Sequence, residues 1–153
     1  MDMDPPVWEA RRLMLSTVAV GTDGSATAAK AVEAATEIAR RFDAKLVLLS
    51  VATEARDEPP EGVSEELQWA FSKDARAREM LSRAEQELQS AGIDCKAMID
   101  SGDPAEVLVR LAEECGADLL VIGNRGMHRR VLGSVPNTVT HKAPCSVYVV
   151  KTT

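Results

Sequence analysis

Ala117-Asp118-Leu119-Leu120-Val121-Ile122-Gly123-Asn124-Arg125-Gly126-Met127-His128-Arg129-Arg130-Val131-Leu132-Gly133-Ser134 reads as a buried strand, a glycine-punctuated loop and the start of a helix. Glycines in such a loop let the backbone come close to a ligand. The unpaired N–H groups at a helix start then face an anion. The charge pattern points the same way. No Asp or Glu occurs from Leu119 to Thr153, although the chain of 153 residues carries 24 acids. An even spread would place roughly five or six there. The same stretch holds Arg125, Arg129, Arg130, Lys142 and Lys151. The sequence therefore predicts a phosphate or similar anion held by Gly123, Gly126, Gly133 and Ser134. Arg129 and Arg130 read either as ligands to it or as solvated loop charges, and His128 reads as an exposed loop-tip residue.

Outward from this segment the chain alternates. Leu13–Gly21 reads as a first strand, followed by turn chemistry at Thr22-Asp23-Gly24-Ser25 and a helix over 26–42, with Ser25 or Asp23 as its cap. Lys45–Ala52 is a continuous apolar run, the mark of a strand covered on both faces. A helix is predicted from Ser64 to Ala91, with Gly92 ending it. Asp94–Ile99 reads as a third strand. Asp103-Pro104 is a cap followed by proline at the first helical position, and that helix runs to about Cys115. Asp118–Gly123 is strand four, Ser134–His141 a last helix, and Cys145–Lys151 strand five. The order β-α-β-α-β-α-β-α-β predicts an α/β fold: one open parallel sheet of five strands with helices on both faces. Residues 1–9 are expected to be a flexible segment and 10–153 a single domain.

Composition narrows the function classes. A net charge of −6 and scarce aromatics (3%) argue against nucleic-acid binding and against anionic membranes. No apolar run approaches the roughly 18 residues of a membrane span. The acidic, proline-containing N-terminus does not resemble a signal peptide, so the expected location is the cytoplasm. Cys95, Cys115 and Cys145 form no CxxC pair and read as free, buried thiols. They do not cluster with His128 and His141, so no metal site is expected.

In open parallel sheets, ligands bind beyond the carboxyl ends of the strands, where the strand order reverses. For an order of 3-2-1-4-5 that point lies between strands one and four, and Asp23 stands beside the glycine loop. Gly21-Thr22-Asp23-Gly24-Ser25, Val51, Ser101-Gly102-Asp103 and Ile122-Gly123 occupy the strand ends. These residue types fit a nucleotide. A carboxylate accepts hydrogen bonds from ribose hydroxyls, backbone near Val51 can read a base edge, and the loop with Ser134 and Val135 can hold phosphate. Asp23 also fits a simple turn or cap, and Val51 also fits plain strand core.

The motifs Val-Ala-Val-Gly-Thr-Asp-Gly-Ser at 18–25, Leu-Leu-Ser-Val at 48–51 and Gly-Asp-Pro-Ala-Glu-Val-Leu at 102–108 occur in a telling order. They are followed by Ala-Asp-Leu-Leu-Val-Ile-Gly-Asn-Arg-Gly at 117–126, Leu-Gly-Ser-Val at 132–135 and Ala-Pro-Cys-Ser-Val-Tyr-Val-Val at 143–150. With them the chain resembles the universal stress protein (UspA-like) family over Leu13 to Lys151. The resemblance implies a sheet of order 3-2-1-4-5 and a homodimer joined through the fifth strands. It implies an adenine-nucleotide-binding regulator of the stress response, with ATP as the leading ligand, AMP, ADP or cyclic AMP as alternatives, and Mg²⁺ accompanying ATP.

In nucleotide-binding members the phosphate motif runs Gly, two residues, Gly, nine residues, Gly, then Ser or Thr. Gly123, Gly126, Gly133 and Ser134 match it, Asp23 matches the acid beside the ribose, and Val51 matches the residue whose backbone meets adenine. The chain departs at one point: six residues separate Gly126 from Gly133. The shorter loop implies fewer N–H groups for outer phosphates, compensated by Arg129 and Arg130 or matched by a ligand with fewer phosphates. The Gly-Asn-x-Gly form is similar to that of actinobacterial members, some of which bind cyclic nucleotides. Without an acid on the loop, at most slow ATP hydrolysis is expected. A nucleotide-independent, holdase-like interaction protein is the alternative. A phosphoacceptor receiver is disfavoured, because it needs an acidic cluster where only Asp23 stands.

Overall fold

The continuous apolar run becomes β2 (Lys45–Ala52), which pairs in parallel with β1 (Thr17–Gly21) on one side and β3 (Cys95–Ser101) on the other. β4 (Leu119–Gly123) flanks β1, and β5 (Ser146–Val150) flanks β4, giving the order β3-β2-β1-β4-β5. In this computed structural model the described residues are 15–23, 26–52, 61–62, 64, 73–124 and 134–152. The expectation for residues 1–9 falls outside them.

Four helices connect the strands: α1 (Ala26–Phe42), α2 (Lys73–Ser90), α3 (Pro104–Glu114) and α4 (Ser134–Lys142). α1 and α2 cover one face, around Val18, Val20, Leu46, Leu48 and Val121. α3 and α4 cover the other, around Ala19, Val47, Leu49, Leu120 and Ile122. Successive residues of a strand thus enter two different cores, as their alternating directions require. α1 buries Ala28, Ala31, Ala35 and Ala39. The spacing of three and four puts all four methyls on one stripe, and such small side chains let the helix lie close to the sheet.

The helix ends follow from local chemistry. Asp103 caps α3, its Oδ2 accepting from Glu106 N at 3.2 Å, with Pro104 at the first helical position. α1, α2 and α3 stop in the same way. Ala44 N donates to Ala39 O, Ile93 N to Leu88 O and Ala117 N to Ala112 O. The residue before each donor is left-handed: Asp43, Gly92 (φ +86°) and Gly116 (φ +66°). This is the Schellman stop.

The differences from expectation lie at element ends. β1 starts at Thr17, where its ladder with Lys45 begins; Leu15 and Ser16, expected in the strand, precede it, and 13–14 lie outside the described residues. Ser16 N and Thr17 N donate to Asp118 Oδ2 at 2.9 and 3.0 Å, and β4 starts at Leu119, one residue later than expected. β3 runs to Ser101, two residues further than expected, because its ladder with β2 continues to Ala52. Ser64 is not helical, α2 is described from Lys73, and 65–72 lie outside the described residues.

The two sheet edges differ. On β3, Glu85 Oε2 accepts from Ala97 N at 2.7 Å and Gln89 Nε2 donates to Cys95 O at 2.9 Å. Side chains of α2 thus occupy outward-facing backbone groups that a foreign strand would use. On β5, Tyr148 is 45% exposed. Glu85→Ala should cost about 1 kcal/mol in chemical denaturation. It should also raise self-association in sedimentation velocity by freeing the β3 edge, whereas unchanged sedimentation would refute the guarding role.

Candidate functional site

β1 and β4 lie side by side, but α1 leaves β1 on one face and α4 leaves β4 on the other. The chain therefore parts above their carboxyl ends. The cavity there has a volume of about 550 Å³, in the range of small-molecule sites. Leu49, Val51, Leu108 and Ile122 form an apolar wall, and Thr22, Asp23, Thr27 and Ser134 supply polar groups.

The sequence places these residues by simple rules. Gly21 and Gly123 end their strands. Thr22 N is fixed to Leu49 O at 2.8 Å, which holds the β1 exit against β2. Leu49 and Val51 are two residues apart on one strand and so share a face. Pro104 and Leu108 are four apart on α3 and share a side. Ser134, Val135 and Pro136 form the first turn of α4.

The field at this end of the sheet favours an anion. The N-termini of α1 and α4 both open at the cavity, and neither helix has an acid in its first turn. α3 differs, with Asp103 as cap and Glu106 in its first turn. Asp23 is the one acidic side chain among the described lining residues.

A Cβ built on Gly21 would stand 3.2 Å from Leu108 Cδ2 and 3.6 Å from Ile122 Cγ2. It would enter the space between two cavity walls. At Gly123 a Cβ would meet Thr152 Cγ2 at 3.5 Å, an ordinary contact, and Gly123 has no positive φ.

Eight residues singled out from the sequence meet around this cavity: Gly21, Thr22, Asp23, Val51, Ile122, Gly123, Ser134 and Val135. Gly102 is not among the lining residues. It turns with φ +138° at the end of β3, just before the α3 cap. Ser25, Arg125, Gly126, Arg129, Arg130 and Gly133 lie outside the described residues. Sequence reasoning missed Thr27, Ala28, Leu49, Pro104, Leu108 and Pro136. Period two from Val51 finds Leu49, and one helical turn from Pro104 finds Leu108.

Elsewhere the chemistry is quiet. Cys95, Cys115 and Cys145 are free thiols. Burial, with Glu85 and Asp94 nearby, pushes Cys95 up to about 11. Burial also raises Cys115 and Cys145 above the ordinary thiol range. Among the described residues no group of three or more His, Cys, Asp or Glu could hold a metal ion. Nor is any described helix long and apolar enough to cross a membrane.

The comparisons with known proteins agree with the fold. The model of the universal stress protein family matches residues 14–151. A universal stress protein of Mycobacterium tuberculosis is 36% identical over 144 residues, covering 90% of this chain and 97% of that protein. The crystal structure of a universal stress protein in complex with cAMP is similar with a TM-score of 0.70 and 34% identity, over 92% of this chain and 99% of that one. An Arabidopsis thaliana universal stress protein family member with AMP bound gives a TM-score of 0.71 and 26% identity, over 90% and 92% of the two chains. By its strand order, its strand-end cavity and these matches, the chain belongs to the universal stress protein family.

Proposed function

We propose that the cavity between β1 and β4 binds an adenine mononucleotide, AMP or cyclic AMP, and that the protein is a nucleotide-responsive regulator of the stress response in the cytoplasm. One observation carries the reading: an apolar wall and two acid-free helix starts line the same cavity at the reversal of strand order. The base stacks against Val51, Leu49 and Leu108. Asp23 accepts from a ribose hydroxyl. The phosphate sits at Gly123 and the start of α4, with Ser134 as a hydroxyl donor. The solved relatives that carry AMP and cAMP support this choice of ligand class.

The short segment between Gly126 and Gly133 favours one phosphate over three. The family motif, by contrast, favours ATP with Mg²⁺, which makes ATP the second reading. Asp23 is the one acid lining the described cavity, so the role proposed is binding without rapid hydrolysis. The exposed edge at β5 is where a second copy of this chain would pair.

Calorimetry of the full chain with AMP, cyclic AMP, ADP and ATP tests the ligand. Affinity for a monophosphate at least about tenfold above that for ATP, a difference of about 1.4 kcal/mol, is the expected result. Tighter binding of ATP replaces it with the second reading, and no binding at millimolar ligand refutes both. Gly21→Val adds branches between Leu108 and Ile122. It should weaken monophosphate binding by roughly tenfold or more while costing about 1–3 kcal/mol of stability. Unchanged affinity in the same titration would remove this cavity from the reading.

A further inference from the structure

Beyond Gly123 the β4–β5 pairing does not simply end. Asn124 N donates to Val150 O at 3.1 Å, one step past the last ladder pair. The Asn124 side chain, 2% exposed, turns its Oδ1 to Thr152 and accepts from the Thr152 N–H at 2.8 Å and from the Thr152 hydroxyl. Thr152 is itself 5% exposed, and its carbonyl accepts from Lys30 Nζ at 3.0 Å. Three elements are joined through one residue: the exit of β4, the segment after β5, and α1.

The place of this junction gives it meaning. Lys30 lies three residues beyond Thr27, which lines the cavity. Thr152 Cγ2 is the nearest atom to a Cβ built on Gly123, at 3.5 Å, and Thr27 O follows at 3.9 Å. Thr152 therefore backs the cavity wall at Gly123 from the α1 side. Asn124 is also the last described residue before 125–133, where the glycine motif continues. Its Nδ2 is buried and has no hydrogen-bond partner among the described residues. A buried donor left in that state is costly, so a residue chosen only to hold Thr152 would not need to be an amide. Asn offers acceptance on one side and donation on the other.

We propose that Asn124, Thr152 and Lys30 form a latch that positions the phosphate end of the cavity and couples it to β5, an edge strand. Thr152 and Lys30 act as positioning residues, since neither lines the cavity. The latch rests on the nucleotide reading above. It predicts that ligand binding and the order of the segment after β5 strengthen each other, as linkage requires.

The test uses the full chain, AMP and cyclic AMP. Thr152→Val removes the hydroxyl donor and keeps the shape, Thr152→Ser keeps the hydroxyl, and Lys30→Met removes the ammonium. Affinity is read by calorimetry, and amide hydrogen exchange over 146–153 is read with and without ligand. Expected is ligand-dependent protection of that segment in the unmodified protein, lost in Thr152→Val and Lys30→Met together with affinity lower by roughly fivefold or more. Thr152→Ser should retain both, and Glu85→Ala, on the far edge, should leave both unchanged despite its lower stability. If the unmodified protein binds a nucleotide but shows no such protection, or if both Thr152→Val and Lys30→Met bind as it does, the latch is refuted and the nucleotide reading stands. If the unmodified protein binds none of the nucleotides, both fall. Should Thr152→Val fail to fold, Lys30→Met alone decides, because Lys30 is exposed on α1 and meets Thr152 through its carbonyl.

Discussion

A parallel strand can be joined to its predecessor only by a crossover, and the crossover has a fixed hand. In this chain the first two crossovers step away from β1 in one direction and place α1 and α2 on one face. The next two return and step the other way, with α3 and α4 on the opposite face. β1 and β4 are thereby left adjacent, and the helices that follow them lie on opposite faces of the sheet. The cavity needs no special packing defect. It is what remains when two right-handed winding paths start from neighbouring strands. The polarity of parallel strands then directs the N-termini of α1, α3 and α4 toward the same space.

This architecture also divides the labour among residues. The central strands β1, β2 and β4 are almost wholly apolar and set the register. Polar side chains act at the boundaries instead. Asp118 fixes the start of β1, Asp103 the start of α3, and Glu85 and Gln89 the backbone of β3. The sheet thus has two backbone groups of one edge strand taken up by side chains and presents Tyr148 at the other edge.

The elements with strong local signals were legible in advance. α1 and β2 occupy the residues that alanine periodicity and an unbroken apolar run predict. Asp103-Pro104 and Gly116 mark both ends of α3 because cap and stop chemistry is local. The start of β1 was not legible, since Leu13 to Ser16 are as strand-like as Thr17 and only the position of the neighbouring strands ends the ladder. At the cavity, turn residues such as Thr22 and Asp23 announce themselves by type. Thr27, Ala28 and Leu108 do not, because their contribution depends on which side of a helix faces the strand ends. The Asn124–Thr152 junction was hidden for the same reason: 28 residues separate its partners, and although Asn124 stands in the glycine motif, nothing in that motif points to Thr152.

The three cysteines bear on what this molecule can sense directly. Sulfur reacts with peroxides and electrophiles as thiolate, and burial holds all three here in the protonated form near neutral pH. An oxidant detector needs a readily ionised thiol, and these three are shifted away from ionisation. A regulator built this way would take its signal at the strand-end cavity, where release of a bound molecule undoes the response, rather than by covalent change at sulfur.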